Sequence, residues 1–155
     1  MMNDVQLLEF EAALKNEGLI GALRLLNQKT DHQFTGIYRY NGHKLENIAL
    51  YDRMDASVSQ AGHVPLSVTY CSLLKELEVL EILDRQSDLR PEININTPVN
   101  AYCGILLKDK RGQPFGSLCH WDMVKTDGSQ DNINHLNQVS EIILEYLNEK
   151  ERESL

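Results

Sequence analysis

The sequence predicts an α+β domain, a mostly antiparallel sheet with helices from both ends of the chain on one face. Three observations predict it. Apolar residues recur at helical spacing at both ends, in residues 4–28 and 132–150. Between them lie two pairs of strand-like segments, 33–40 with 43–51 and 101–108 with 115–122. Each pair is joined by a short glycine-bearing connection, Asn41-Gly42 in the first and 109–112 in the second. Helix, hairpin, crossing segment, hairpin, helix is an order that an antiparallel sheet with its helices on one side accommodates.

In the first helical region Leu7, Leu8, Ala12 and Leu14 fall on one face, and Leu19, Leu23 and Leu26 continue the pattern. Gly18 predicts a joint between a helix ending near Asn16 and a second over 19–28. Residues 33–40 (QFTGIYRY) are aromatic and β-branched, and Asn41-Gly42 is the expected two-residue turn, since both tolerate positive φ. Leu45, Ile48 and Leu50 supply the returning strand. Residues 53–62 read as loop and 63–68 as a short extended segment, which Pro65 assigns to an edge. Thr69 is the expected cap of a short helix over 70–77, followed by a strand at 79–83. Residues 84–97 form a polar loop that contains Pro91 and ends at Pro98, of the kind that covers binding sites. Asp131 is the expected N-cap of the last helix, whose apolar set runs Ile133, Leu136, Val139, Ile142, Ile143, Tyr146 and Leu147.

The chain has 155 residues, which suits a single domain over 1–155, with N-terminal helices in 1–28 and a C-terminal helix in 131–150. A chain of this size buries roughly 68–70% of its unfolded surface, enough for a core without disulfide or metal. The net charge of −8 repels a phosphate backbone, so no nucleic-acid partner is expected. No apolar run reaches the roughly 18 residues of a membrane span, and the N-terminus lacks a signal-peptide pattern. A cytoplasmic protein with no membrane partner follows as the expectation. Cys71, Cys103 and Cys119 have neither an even count nor CxxC spacing, so free buried thiols are expected rather than a disulfide framework or zinc site.

Four elements in order resemble the GAF family. Residues 22–27 follow its "ALxxL" helix end. Ile37-Tyr38-Arg39-Tyr40-Asn41-Gly42 through Ala49-Leu50-Tyr51-Asp52 resemble its first hairpin, and Thr69-Tyr70-Cys71 its middle-helix opening. Tyr102-Cys103-Gly104 through Asp109, with Gly116-Ser117-Leu118-Cys119-His120-Trp121-Asp122, resemble its second hairpin. Ile105-Leu106 and Trp121 depart from the common pattern. The resemblance implies a PAS-related sheet of five or six antiparallel strands ordered 2-1-5-4-3. It implies terminal helices on one face and a pocket on the other, under a middle helix and loop. Family members bind cyclic nucleotides, bilins, haem or small metabolites, so the fold alone names no cofactor.

The residues weigh against most of these. Residues 125–132 lack the Phe and Asp-Glu associated with cyclic-nucleotide binding in the family. Cys119-His120 has the bilin dipeptide but falls on a strand, and Cys71 is followed by Ser72. No histidine pair has metal-ligand spacing; His43 and His135 are expected at the surface, and only His63 and His120 are placed to reach a pocket. One GAF subfamily reduces free methionine-R-sulfoxide with cysteines, and three thiols raise that alternative. Its reactive pair lies in a stretch that corresponds here to 84–101, which has no cysteine.

The expectation is therefore a non-enzymatic sensing or regulatory module for an unidentified small molecule, without catalytic or metal residues. The alternatives are the reductase and a dimerisation module with an empty pocket. The expected ligand site is Tyr70, Cys71, Asp84, Arg85, Arg90, Tyr102, Cys103 and Leu106, between middle helix and strand, with the arginines offering charge to an anion. A homodimer through the terminal helices is expected from Leu7, Leu8, Leu14, Val139, Ile142 and Tyr146, read as apolar surface beyond what the sheet needs.

Overall fold

A computed structural model describes residues 1–62 and 64–153. The expected contribution of His63 to a pocket lies outside them. Helix α1 spans Asp4–Asn27 and opens on a capping box: Gln6 N donates to Asn3 Oδ1 and Asn3 N donates to Gln6 Oε1, both at 2.9 Å. Gly18 leaves the helical region at φ 75° and ψ −166°, making the joint its sequence predicts.

Strands β1 (Phe34–Asn41) and β2 (Lys44–Asp52) form the first hairpin. Asn41 pairs with Lys44, so the two turn residues are Gly42 and His43, one position later than expected. Only the first of them needs positive φ, and Gly42 supplies it at 59°. A bulge leaves Ile48 unpaired between Ile37↔Ala49 and Tyr38↔Asn47. Buried Asn47 fills it, donating to the carbonyls of Ile37 and Ala49 and accepting from Ala61 N.

Strand β3 is only Val64–Pro65, at the sheet edge, and 66–68 is a 3-10 turn. A second 3-10 turn, Tyr70–Leu73, runs into a four-residue helix α2, Leu74–Leu77. Thr69 does not cap it. Its hydroxyl points back to the Leu66 carbonyl at 2.8 Å. Strand β4 (Val79–Ile82), the loop 83–100, β5 (Ala101–Lys108), β6 (Pro114–Asp122) and helix α3 (Asn132–Glu153) complete the order.

The antiparallel sheet runs β3-β2-β1-β6-β5-β4. Without the two-residue β3 this is the expected five-strand order 2-1-5-4-3. Side chains alternate between its faces. Ile37, Cys103, Ile105, Leu107 and Leu118 meet Phe10, Leu23, Leu26, Leu136, Val139 and Ile143 of the terminal helices. Tyr38, Tyr102, Leu106, Cys119 and Trp121 face the middle segment. Val139 and Leu14 are buried in this monomeric core, so neither belongs to surplus surface; Leu8, 64% exposed, does.

Candidate functional site

Among the described residues, the face opposite the terminal helices is covered by 66–77 and 83–99, and this cover leaves a cavity of about 250 Å³. Tyr38, Leu45, Tyr102, Cys119 and Trp121 form its floor, Tyr70 and Cys71 its wall, and 68–69 with 96–99 its rim. Val68, Asn96 and Pro98 are exposed and form the mouth. Two glycines make the floor possible. The Trp121 ring lies against Gly36 and the Tyr102 ring against Gly104, where a Cβ would clash with either ring. Trp121 stacks on Phe34 at 5.3 Å and tilts against Tyr38 at 5.8 Å, and Tyr70 meets Tyr102 at 5.4 Å.

The turn that carries Cys71 is held from below. Tyr40 Oη donates to the Cys71 carbonyl at 2.6 Å, and Lys75 Nζ sits 4.6 Å over the Tyr40 ring. The Cys71 sulfur is the polar centre of the cavity. Ser117 Oγ donates to it at 3.1 Å, Tyr102 Oη lies 3.1 Å away, and the Cys119 thiol is beside it. Hydrogen bonds from Cys119, with Ser117 and Tyr102, hold Cys71 below the ordinary thiol range against the effect of burial. Burial pushes Cys119, Tyr38 and Tyr102 well up, so these stay protonated. None of the lining residues is Asp, Glu, Lys or Arg.

Of the residues singled out from sequence, Tyr70, Cys71 and Tyr102 line this cavity and the other five do not. Cys103 belongs to the helix face, because adjacent strand residues point to opposite faces. Leu106 is on the cavity face but packs beyond the lining. Arg85 is a clamp: its guanidinium donates to the carbonyls of Ile95 and Thr97 and so fixes the rim. Arg90 is paired with Asp88 at 2.7 Å and donates to the Glu81 carbonyl at 2.8 Å. Asp84 accepts from Asn100 Nδ2 at 3.0 Å, at the base of the loop. A depression of about 420 Å³ on the loop's outer side carries Arg85, Asp88 and Arg90, but its two guanidiniums are already engaged, Arg85 by the loop carbonyls and Arg90 by Asp88 and the Glu81 carbonyl. Neither arginine is directed at an anion in the cavity.

The sequence reading missed Tyr38, Leu45, Cys119, Trp121 and the rim at 68–69 and 96–99 as site residues. Pairing across the second hairpin would have found two of them, since Trp121 lies opposite Tyr102 and Cys119 two residues back on the same face. His120, expected near the pocket, faces the helices instead. Its ring stacks on His32 at 5.7 Å, and Thr35 Oγ1 lies 2.6 Å from its Nδ1. His43 is exposed as expected, whereas His135 is half-buried. Among the described residues no group of three His, Cys, Asp or Glu could hold a metal ion, and all three cysteines are free and buried.

No protein-family model and no curated protein matches this sequence. Solved structures do. The GAF domain of an Acinetobacter phosphoenolpyruvate-protein phosphotransferase aligns over 99% of this chain and 99% of its own, with TM-score 0.71 and 12% identity. The chain has the GAF fold. A phycoerythrobilin-bound GAF domain from a cyanobacterial phytochrome covers both chains fully at TM-score 0.71 and 13% identity. The free methionine-R-sulfoxide reductase of Neisseria meningitidis, in complex with its substrate, aligns over 100% of this chain and 96% of its own, at TM-score 0.70 and 12% identity. A GAF fold is thus common to proteins with a chromophore, a sulfoxide substrate, or neither named, and the chemistry has to be argued from the cavity. Among the described residues no helix is long and apolar enough to cross a membrane.

Proposed function

We propose that this chain is a non-enzymatic GAF module that senses a small, uncharged, ring-bearing molecule in the cavity beneath residues 66–99. The observation that carries the reading is the lining. Three tyrosines and one tryptophan surround about 250 Å³ with no formal charge. Burying an unpaired anion there would be costly, which disfavours a cyclic nucleotide and its phosphate. The volume is just under the ~300–1,000 Å³ of drug-sized pockets, so one or two fused rings fit and an open-chain tetrapyrrole does not. The Tyr38 and Tyr102 hydroxyls and the exposed Asn96 amide at the mouth are the polar groups that would orient the ligand. The reductase alternative is weaker, because its loop cysteine has no counterpart in 84–101.

Trp121 is the only tryptophan, so its fluorescence reports the cavity alone. Titration of reduced protein with neutral bicyclic fragments that do not absorb at the excitation wavelength should quench or shift it, and Val68→Trp, which plugs the mouth, should abolish fragment protection in a thermal-shift assay. If no fragment is bound and native mass spectrometry of protein from its source shows no small molecule, the empty-pocket reading replaces this one.

The reading includes a homodimer through α1 and α3, supported by exposed Val5 and Leu8 beside half-buried Leu7, Ile142 and Tyr146. A single monomeric species by sedimentation at micromolar concentration overturns it. It also includes a cytoplasmic setting, since three free thiols suit a reducing compartment.

A further inference from the structure

Two of the three thiols share the cavity. Cys71 descends from the cover and Cys119 rises from β6 in the floor; Tyr102 Oη, 3.1 Å from the Cys71 sulfur, lies over Gly104, whose cross-strand partner is Cys119. The surroundings of Cys71 are more elaborate than packing requires. Ser117, fully buried, has its hydroxyl on the Cys71 sulfur, and so does Tyr102, also buried. A sulfur that only fills space needs no hydrogen-bond donors, whereas a thiolate is stabilised by each one. Cys103, on the other face of the sheet, has no such setting and is an internal control.

We infer that Cys71 and Cys119 form a dithiol that small hydroperoxides entering the cavity oxidise to an intrachain disulfide. Cys71 is the nucleophile and Cys119 the resolving thiol. The Cys71 sulfur attacks the outer peroxide oxygen, the O–O bond breaks, and the alcohol (or water, from hydrogen peroxide) leaves with the Cys71 proton. Cys71 is now a sulfenic acid. The Cys119 sulfur attacks it, an S–S bond forms, the S–O bond breaks, and hydroxide leaves with the Cys119 proton as water. The dithiol has lost two electrons and two protons, and the hydroperoxide has been reduced to alcohol and water. A thiol reductant restores the pair by exchange. The disulfide ties the Tyr70–Leu73 turn to β6 across the cavity, so oxidation and ligand occupancy compete for one space. The inference rests on the cavity as an access route, not on its holding a ligand.

The test treats the reduced full-length chain with hydrogen peroxide, alkylates it, and maps peptides. The expected result is a Cys71–Cys119 disulfide with Cys103 still alkylated. Cys119→Ala should leave a dimedone-reactive sulfenic acid at Cys71, and Cys71→Ala should leave Cys119 unreacted. Should either variant fail to fold, Val68→Trp, which closes the mouth, should slow wild-type disulfide formation by about tenfold or more, as reactivity follows access. Oxidation of Cys103 ahead of Cys71, a bridge to Cys103, or a bridge only between chains overturns the inference. Fragment binding to reduced protein whose Cys71 and Cys119 resist peroxide overturns it and leaves the proposed function standing. Disulfide formation without any fragment binding does the reverse.

Discussion

The Trp121 ring rests on the bare backbone of Gly36, and filling that contact tests the cavity floor directly. In Gly36→Ala the new Cβ would lie 2.9 Å from Cη2 and 3.0 Å from Cζ3 of Trp121, and 3.3 Å from Cε2 of Tyr38. Carbon atoms pack at about 3.5–4.0 Å, so the ring must retreat by roughly 0.6–1 Å. Strand β1 is paired on both sides, with β2 and β6, so the backbone at Gly36 cannot yield. The ring has to lift off the sheet, into the cavity and out of its 5.3 Å stack with Phe34. The atoms that clash are the far edge of a half-buried ring, which keeps the cost of overpacking near about 1–2 kcal/mol. For a domain of this size the melting temperature falls by roughly 2–8 °C. Fragment affinity falls more than stability does, by about tenfold or 1.4 kcal/mol, because the floor itself has moved. Calorimetry measures the first effect, and Trp121 emission with a fragment titration measures the second. Unchanged emission together with unchanged fragment affinity would refute the claim that this ring forms the floor.

A contrasting substitution is Gly116→Ala, whose Cβ would run into the Tyr38 carbonyl and neighbouring β1 backbone; neither can move without breaking the β1–β6 pairing, so a loss above about 3 kcal/mol is expected in urea unfolding. Cys119→Ser exchanges the sulfur that reaches the Gly36 carbonyl at 3.8 Å for a shorter hydroxyl drawn back from that carbonyl and from the Cys71 sulfur, and should cost about 1–3 kcal/mol by the same measurement. Arg85→Ala removes the donors to the Ile95 and Thr97 carbonyls and should loosen 96–99; hydrogen exchange there should rise and fragment affinity fall, with the β5 and β6 amides still protected. Burial lowers both His32 and His120, against the pull of Asp31 and Asp122 on His32 and with the help of His32, His135 and Arg53 on His120. The unfolded chain therefore takes up protons first, and stability that is complete above the ordinary value of about 6.5 declines as pH falls below it. The urea midpoint should drop between pH 7.5 and pH 5.5, and a flat profile would contradict the burial of this pair.

The helices, both hairpins and the joint at Gly18 were legible because each depends on neighbours in sequence. The first turn slipped by one residue because Asn41 and Gly42 both tolerate positive φ, and the choice is made by the Asn41↔Lys44 pairing. The Ile48 bulge has no local mark; it depends on Asn47 reaching across to Ile37 and Ala61. In the site, Tyr70 and Cys71 were readable as part of the cover and Tyr102 from its strand opposite. Naming Cys103 beside Tyr102 overlooked the two-residue period of the strand. The arginines were read as free charge because sequence shows a guanidinium but not the carbonyls it meets ten or twelve residues away. The 96–99 rim is set by that long-range clamp, and no local pattern announces it.

The loop between β4 and β5 is closed at its base. Arg85 N donates to the Asn100 carbonyl at 2.8 Å and Asn100 Nδ2 to Asp84 at 3.0 Å, while Leu89 near its tip is 93% exposed. With its ends fastened together, the loop is a handle held to the sheet at two points of its arc, by the Arg90 guanidinium on the Glu81 carbonyl of β4 and by buried Ile93. Lengthening such an arc is thermodynamically cheap, about 0.6 kcal/mol for each doubling. The inner limb, by contrast, forms the rim of the cavity. Variation between these anchors can thus alter the loop and the mouth it borders while the six strands stay in register. Grafting a different tip around Leu89, with Arg85, Arg90 and Ile93 kept, is accordingly the economical way to alter the mouth on this scaffold.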